Sequence, residues 1–176
     1  MSKLQFARVR DVKAPTRGTS KSAGIDFYVP KFNEKLIKDI AEKNPSIQQI
    51  RPECFDYIIV DNMIILGPHQ RILIPSGVHI NGNEEKAYNF HNKSGIATKK
   101  GLDRLAEVVD EDYQGEIHIS IVNTSPYMVC IREDEKLVQL LSMKIDYEEL
   151  EEVTINNLYQ EKTERGAGGF GSTGSK

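Results

Sequence analysis

Glu116-Ile-His-Ile-Ser-Ile-Val-Asn123 alternates polar and apolar residues from Glu116 to Ile121. A period of two is the mark of a strand with one buried face; a helix would repeat near 3.6. Similar short runs lie to either side. Upstream are Leu4-Gln-Phe-Ala-Arg-Val9, Ile25-Asp-Phe-Tyr-Val29, Tyr57-Ile-Ile-Val60, Met63-Ile-Ile-Leu66, Arg71-Ile-Leu-Ile74 and Val78-His-Ile80. Downstream is Lys136-Leu-Val-Gln-Leu-Leu-Ser-Met-Lys-Ile145. Turn residues separate them: Asp61-Asn62 suits a tight hairpin, and Gly67-Pro68, Pro75-Ser-Gly77 and Asn81-Gly-Asn83 break the runs. One segment has another period. Asn33-Glu-Lys-Leu-Ile-Lys-Asp-Ile-Ala-Glu-Lys-Asn44 places Leu36, Ile37, Ile40 and Ala41 on one stripe. Asn33 can cap it and Asn44-Pro45 stops it, which predicts one amphipathic helix inside an insertion of about 31–54. Many short strands with a single helix predict an all-β barrel or jelly roll.

The 176 residues suffice for one domain with a real core. Hydrophobic content of 39% is slightly low and charged content of 28% slightly high. A net charge of −3 argues against general nucleic-acid binding, which wants a basic face. No apolar run approaches the length of a membrane span, and Met1-Ser-Lys-Leu-Gln-Phe6 is too polar for a secretory signal, so the expected setting is the cytoplasm. Cys54 and Cys130 are then expected as reduced structural thiols, and the four histidines lack zinc-ligand spacing.

Five blocks carry possible chemistry. Ser22-Ala-Gly-Ile-Asp26 puts a carboxylate into an apolar strand, where it is either solvated or paired, metal-bound water being one partner. Asn92-Lys-Ser-Gly-Ile-Ala97 offers a cation, a hydroxyl and free N–H groups to a phosphate, although it is not a P-loop. Val108-Val-Asp-Glu-Asp-Tyr-Gln-Gly-Glu116 places Asp110 where the chain leaves the core; a carboxylate there can serve as a general base, and an ordinary acidic turn reads the same way. Gln139 interrupts the apolar run Leu137–Leu141, as an outward strand position also would. Arg165-Gly-Ala-Gly-Gly-Phe-Gly-Ser-Thr-Gly174 has five glycines, so it gains little from ordering alone. It does hold a cation, a ring and two hydroxyls, the parts needed to close over an anionic ligand with a flat ring.

In this order along one chain, the five blocks closely resemble the five motifs of the trimeric deoxyuridine triphosphatases. The resemblance runs from Leu4 to Gly174. It implies a distorted jelly-roll-like barrel (β-clip), residues 1–163, and a flexible arm, residues 164–176, that closes a neighbouring subunit's site in a homotrimer. It implies hydrolysis of dUTP to dUMP and pyrophosphate, with Mg²⁺ on the triphosphate, and no stable nucleic-acid or membrane partner. The cytoplasm would be a host's if the source were a virus or phage. By resemblance, Asp110 orients and deprotonates the attacking water. Tyr113 lies under the deoxyribose, and Lys93, Ser94, Gly95 and Gln139 hold phosphate oxygens. Asp26 helps hold the hydrated metal. The hairpin around Asp110, Val109 included, reads the uracil edge through its backbone. Phe170 stacks on uracil, with Arg165, Gly171, Ser172 and Thr173 around the phosphates.

Three departures stand out. Lys93 replaces the family's usual arginine, keeping the charge and losing the planar fork. Glu107 stands where glycine is common, three residues before Asp110. The insertion lengthens the stretch before Arg71. A dCTP deaminase, a rival on a related fold, would need a glutamate where this chain has Ser120, and serine cannot shuttle protons as a tuned carboxylate does. The other rival is a non-catalytic trimeric binding or regulatory protein; it would be favoured by loss of Asp110 or the arm, and both are present.

Overall fold

The computed structural model describes residues 3–44 and 59–168. The strands in chain order are β1 (Gln5–Arg8), β2 (Ile25–Tyr28), β3 (Ile59–Val60), β4 (Met63–Leu66), β5 (Arg71–Pro75), β6 (Val78–Asn81), β7 (Lys86–Asn92), β8 (Leu102–Arg104), β9 (Val108–Val109), β10 (His118–Asn123), β11 (Val129–Arg132) and β12 (Lys136–Lys144). Helix α1 is Glu34–Lys43, α2 is Ser94–Lys100 and α3 is Ile155–Leu158. All pairings are antiparallel, in sheets β1-β6, β5-β10-β8, β11-β4-β3 and β2-β12-β7-β9. The chain is mostly β, as expected, but the described strands form four sheets and do not close into a barrel.

The inward positions of these strands build one core. On β10, Ile119 and Ile121 are buried and their neighbours are not. Phe27 of β2 meets Phe90 of β7 edge to face at 5.2 Å, a favoured aromatic geometry. Asp61 and Asn62 both adopt positive φ, 49° and 59°. That is the type I′ turn whose twist matches two flanking strands. The expected partner run begins at Tyr57, outside the described residues, as do Pro45 and Cys54.

Helix α1 starts where its cap predicts, with the Asn33 side chain accepting the Leu36 N–H. Leu36 and Ile40 are buried, so the insertion contributes to the core. Asn44, 7% exposed, ends the helix. Its amide donates to Ile40 O at 2.7 Å and Leu73 O at 2.9 Å, and its oxygen accepts Leu73 N at 2.9 Å. Leu73 lies on β5, at the edge of its sheet. One side chain therefore occupies the backbone groups that an edge strand leaves open.

Short α2 was not expected from the sequence. It has no buried residue and so no apolar stripe to detect. Gly101 ends it in the left-handed region (φ +64°), donating to Ala97 O. Strands β7, β8 and β11 were also unanticipated, although Tyr88 and Phe90 of β7 alternate with Asn89 and His91.

Contacts divide the chain after Asp146. The second unit, residues 147–176, contains α3, which buries no residue. No helix among the described residues is long and apolar enough to cross a membrane.

Asn44→Ala would leave the Leu73 N–H and C=O unpaired. We expect it to cost about 2–3 kcal/mol of unfolding free energy in urea titrations; a loss below about 0.5 kcal/mol would mean that water replaces the bridge.

Candidate active site

Two separate constellations emerge from the sheet β2-β12-β7-β9. The first begins with register. Gln139 of β12 pairs with Asp26 on one side and His91 on the other. Gly24 allows this: a Cβ there would sit 2.2 Å from Gln139 Oε1. Gln139 donates through Nε2 to Asn92 O at 2.9 Å, at the end of β7. The next residue, Lys93, then places Nζ 2.5 Å from Asp26 Oδ1. Lys136 Nζ lies 3.0 Å from Asp26 Oδ2.

Asp26 is 4% exposed. Burial pushes its carboxyl pKa up, but hydrogen bonds and charge from Lys93 and Lys136 outweigh burial and hold it below the ordinary 3.8. Lys136 is held above its ordinary value chiefly by its hydrogen bond to Asp26. Two ammonium groups thus share one carboxylate and keep a net positive charge. They face an open cleft of about 390 Å³, lined also by Ser94, Gly95, Lys99 and Gln139. The side of Gly95 where a Cβ would project is open, with nothing within 4 Å. The arrangement fits phosphate oxygens: point cations, a hydroxyl and an amide converge on one space.

Lys136 and Lys99 were missed in the sequence. A regular strand would put residues 137 and 139 on one face. The register of β12 against β2 shifts between Lys136 and Val138, which brings Lys136 to the side of Gln139.

The fit to a metal is poor within this chain. Both oxygens of Asp26 are taken by lysines. No group of three His, Cys, Asp or Glu among the described residues could hold an ion.

The second constellation is the turn after β9. Val109 is buried and pairs with Tyr88; Asp110, the next residue, is exposed. The Tyr113 N–H reaches Asp110 O at 3.3 Å. Tyr113, 42% exposed, folds back so that its hydroxyl donates to Glu116 O at 3.0 Å. A Cβ on Gly115 would meet that hydroxyl, so a larger residue there would push the Tyr113 ring out of this position. Glu107 does not disrupt the hairpin: its carbonyl accepts Phe90 N at 2.8 Å and its carboxylate pairs with Arg104 at 3.2 Å.

The structure brings Asp26, Lys93, Ser94, Gly95 and Gln139 together, and keeps Asp110 and Tyr113 apart from them. Asp110 follows the residue paired with Tyr88, while Lys93 follows Asn92, the far end of β7. At about 3.4 Å per residue, these ends are on the order of 15–20 Å apart. Arg165, in the second unit, is exposed and donates through Nε to Gly168 O at 2.9 Å. Phe170, Gly171, Ser172 and Thr173 lie outside the described residues.

A family model described as dUTPase matches residues 54–174. The deoxyuridine 5'-triphosphate nucleotidohydrolase of Rattus norvegicus is 30% identical over 97% of this chain and 67% of its own length. A dUTPase of Staphylococcus bacteriophage 80alpha, solved with dUpNHpp, superposes with a TM-score of 0.72 at 18% identity, over 99% of each chain. A dUTPase of phage phi11 of S. aureus, described with a structural Mg(II) ion, gives 0.63 at 18% identity, over 86% of this chain and 97% of its own. The two structures share this jelly-roll-like fold.

The Asp26 cluster predicts a specific acid response. Its folded pKa is depressed, so its stabilisation is complete above the unfolded value and is lost as pH falls through the folded value. Wild type should exceed Asp26→Asn in stability at neutral pH, and the gap should shrink below the ordinary 3.8. Thermal melts across that range check this; a constant gap would contradict the ion-pair account.

Proposed function

The chain belongs to the dUTPase family, and on that premise we propose that it hydrolyses dUTP to dUMP and pyrophosphate. The reaction limits uracil in DNA and supplies dUMP for thymidylate synthesis. The observation that carries the mechanistic reading is the division of the site: a phosphate cleft at one end of β7 and an exposed carboxylate at the other.

Asp110 accepts a proton from the water that attacks the α-phosphorus. The new bond is from water oxygen to phosphorus; the bond to the β-phosphate oxygen breaks, and pyrophosphate leaves. A base must lie within hydrogen-bond reach of that water, and a triphosphate is shorter than the span of β7. The water and the phosphate cleft therefore come from different copies of the chain. A closed ring of three copies repeats one such heterologous contact, and supplies an arm to each site. Exposed apolar residues Val108, Tyr127 and Met128 give the body surface to bury in such contacts.

Lys93, Lys136 and Gln139 bind and orient the phosphates, and Ser94 stabilises the leaving pyrophosphate. Tyr113 packs under the deoxyribose and leaves no room for a 2′-hydroxyl. The Val109 backbone lies beside the uracil edge. Arg165, with Phe170, Gly171, Ser172 and Thr173, closes the site over the base and the γ-phosphate and excludes bulk water. A Mg²⁺ ion would be carried by the substrate phosphates and would neutralise their charge; Asp26, paired with Lys93 and Lys136, could reach it only through water.

Asp110→Asn keeps the shape of the side chain and removes its basicity. Pyrophosphate release should fall by about 10²–10⁴-fold, or about 3–5 kcal/mol of barrier, while dUpNHpp still binds. Turnover near that of the wild type would remove Asp110 from the mechanism.

A further inference from the structure

The inserted helix reaches the Tyr113 hydroxyl through one arginine. The Arg10 side chain is 11% exposed, and its NH2 nitrogen lies 2.6 Å from Asp39 Oδ2 on α1. The same guanidinium forks onto Glu116, Nε to Oε1 at 2.6 Å and NH2 to Oε2 at 2.9 Å. Glu116 Oε1 also accepts the Gly77 N–H at 2.7 Å. Gly77 is itself constrained: its φ is +75°, and a Cβ there would sit 2.9 Å from Val12 Cγ1 and 3.0 Å from Arg10 Cβ. The carboxylate of Glu116 is therefore clamped by three hydrogen bonds, and the carbonyl of the same residue accepts the Tyr113 hydroxyl.

We propose that Arg10 is a positioning residue for Tyr113, and that α1, through Asp39, sharpens the discrimination between deoxyribose and ribose triphosphates. The proposal rests on the reading of Tyr113 as the residue under the sugar. The path is short: Asp39 steadies the guanidinium, the guanidinium fixes Glu116, and the Glu116 carbonyl fixes the tilt of the Tyr113 ring. Freed from Arg10, Glu116 can shift, Tyr113 loses its anchor, and space opens for a 2′-hydroxyl. Lysine could not reproduce the planar fork. The insertion then has a task beyond packing: it fastens the far end of a clamp on the substrate-facing turn.

The test compares kcat/KM for dUTP and for UTP in full-length Arg10→Gln, Asp39→Asn, Tyr113→Ala and Lys31→Gln proteins. Lys31→Gln breaks ion pairs to Glu133 and Asp134, with no part in the path, and controls for general loss of stability. Arg10→Gln should lower the dUTP/UTP ratio by at least about tenfold, because small misplacements near reacting groups are costly. The change should come mainly from better use of UTP, as in Tyr113→Ala. Asp39→Asn should lower the ratio severalfold, and Lys31→Gln should leave it at the wild-type value. If Arg10→Gln does not fold, Asp39→Asn decides, since it removes one contact and spares the fork to Glu116. Unchanged ratios in Arg10→Gln and Asp39→Asn, with a lowered ratio in Tyr113→Ala, would overturn the proposal. An unchanged ratio in Tyr113→Ala would overturn it together with the role of Tyr113, while dUTP hydrolysis by the wild type would still stand. Absence of dUTP hydrolysis would instead refute the proposed function itself.

Discussion

Strand β7 spans Lys86–Asn92, and the two halves of the proposed site hang from its opposite ends. Its pairing with β9 delivers Asp110 at one end, and its exit delivers Lys93 and α2 at the other. An extended strand cannot be shortened, so the separation follows from backbone geometry rather than from side-chain choice. In the proposed mechanism, association resolves this: what one copy holds apart, two neighbouring copies would bring together. Burial of Tyr88 and Phe90 in the core fixes β7 in place, and with it the direction in which each half-site faces.

The phosphate end depends on a second constraint. A buried carboxylate is costly unless paired, and Asp26 is paired twice. That arrangement holds two flexible lysines at defined points beside an open cleft, which reduces the side-chain entropy that phosphate binding would otherwise cost. In the proposed site, a second lysine, Lys136, would stand beside the point charge of Lys93. Lys100 lies apart from this pairing, its ammonium held by Glu135 and by Cys130 O.

Much of this was legible in the sequence where the signal was local. Asn33 and Asn44 bounded α1 because capping is a property of a few adjacent residues, and Asp61-Asn62 marked a hairpin because few pairs tolerate positive φ. The motifs singled out Asp26, Lys93 and Gln139, which the structure brings together. What was not legible depended on distant contacts. The Asn44 amide reads as a helix stop in the sequence, and its bridge to Leu73 exists only in the fold. Lys136 joins the cleft through an irregularity in strand pairing. Asp26 read as solvated or paired, with metal-bound water as one partner; it is paired, but nothing local shows that the partners are two lysines. Arg10 carries no local signal, since Asp39 and Glu116 lie far along the chain.

The central claim is that one copy supplies the base and another the phosphate cleft. The direct measurement is subunit complementation between Asp110→Asn and Lys93→Ala chains. Each protein alone should be nearly inactive. Unfolded together in equal amounts and refolded, they should form mixed rings in which one site of three pairs an intact Asp110 with an intact Lys93. Random assembly then gives about a quarter of wild-type activity. A refolded mixture no more active than its two parents, with mixed trimers demonstrated by mass spectrometry, would show that each chain builds its site alone and would contradict the account.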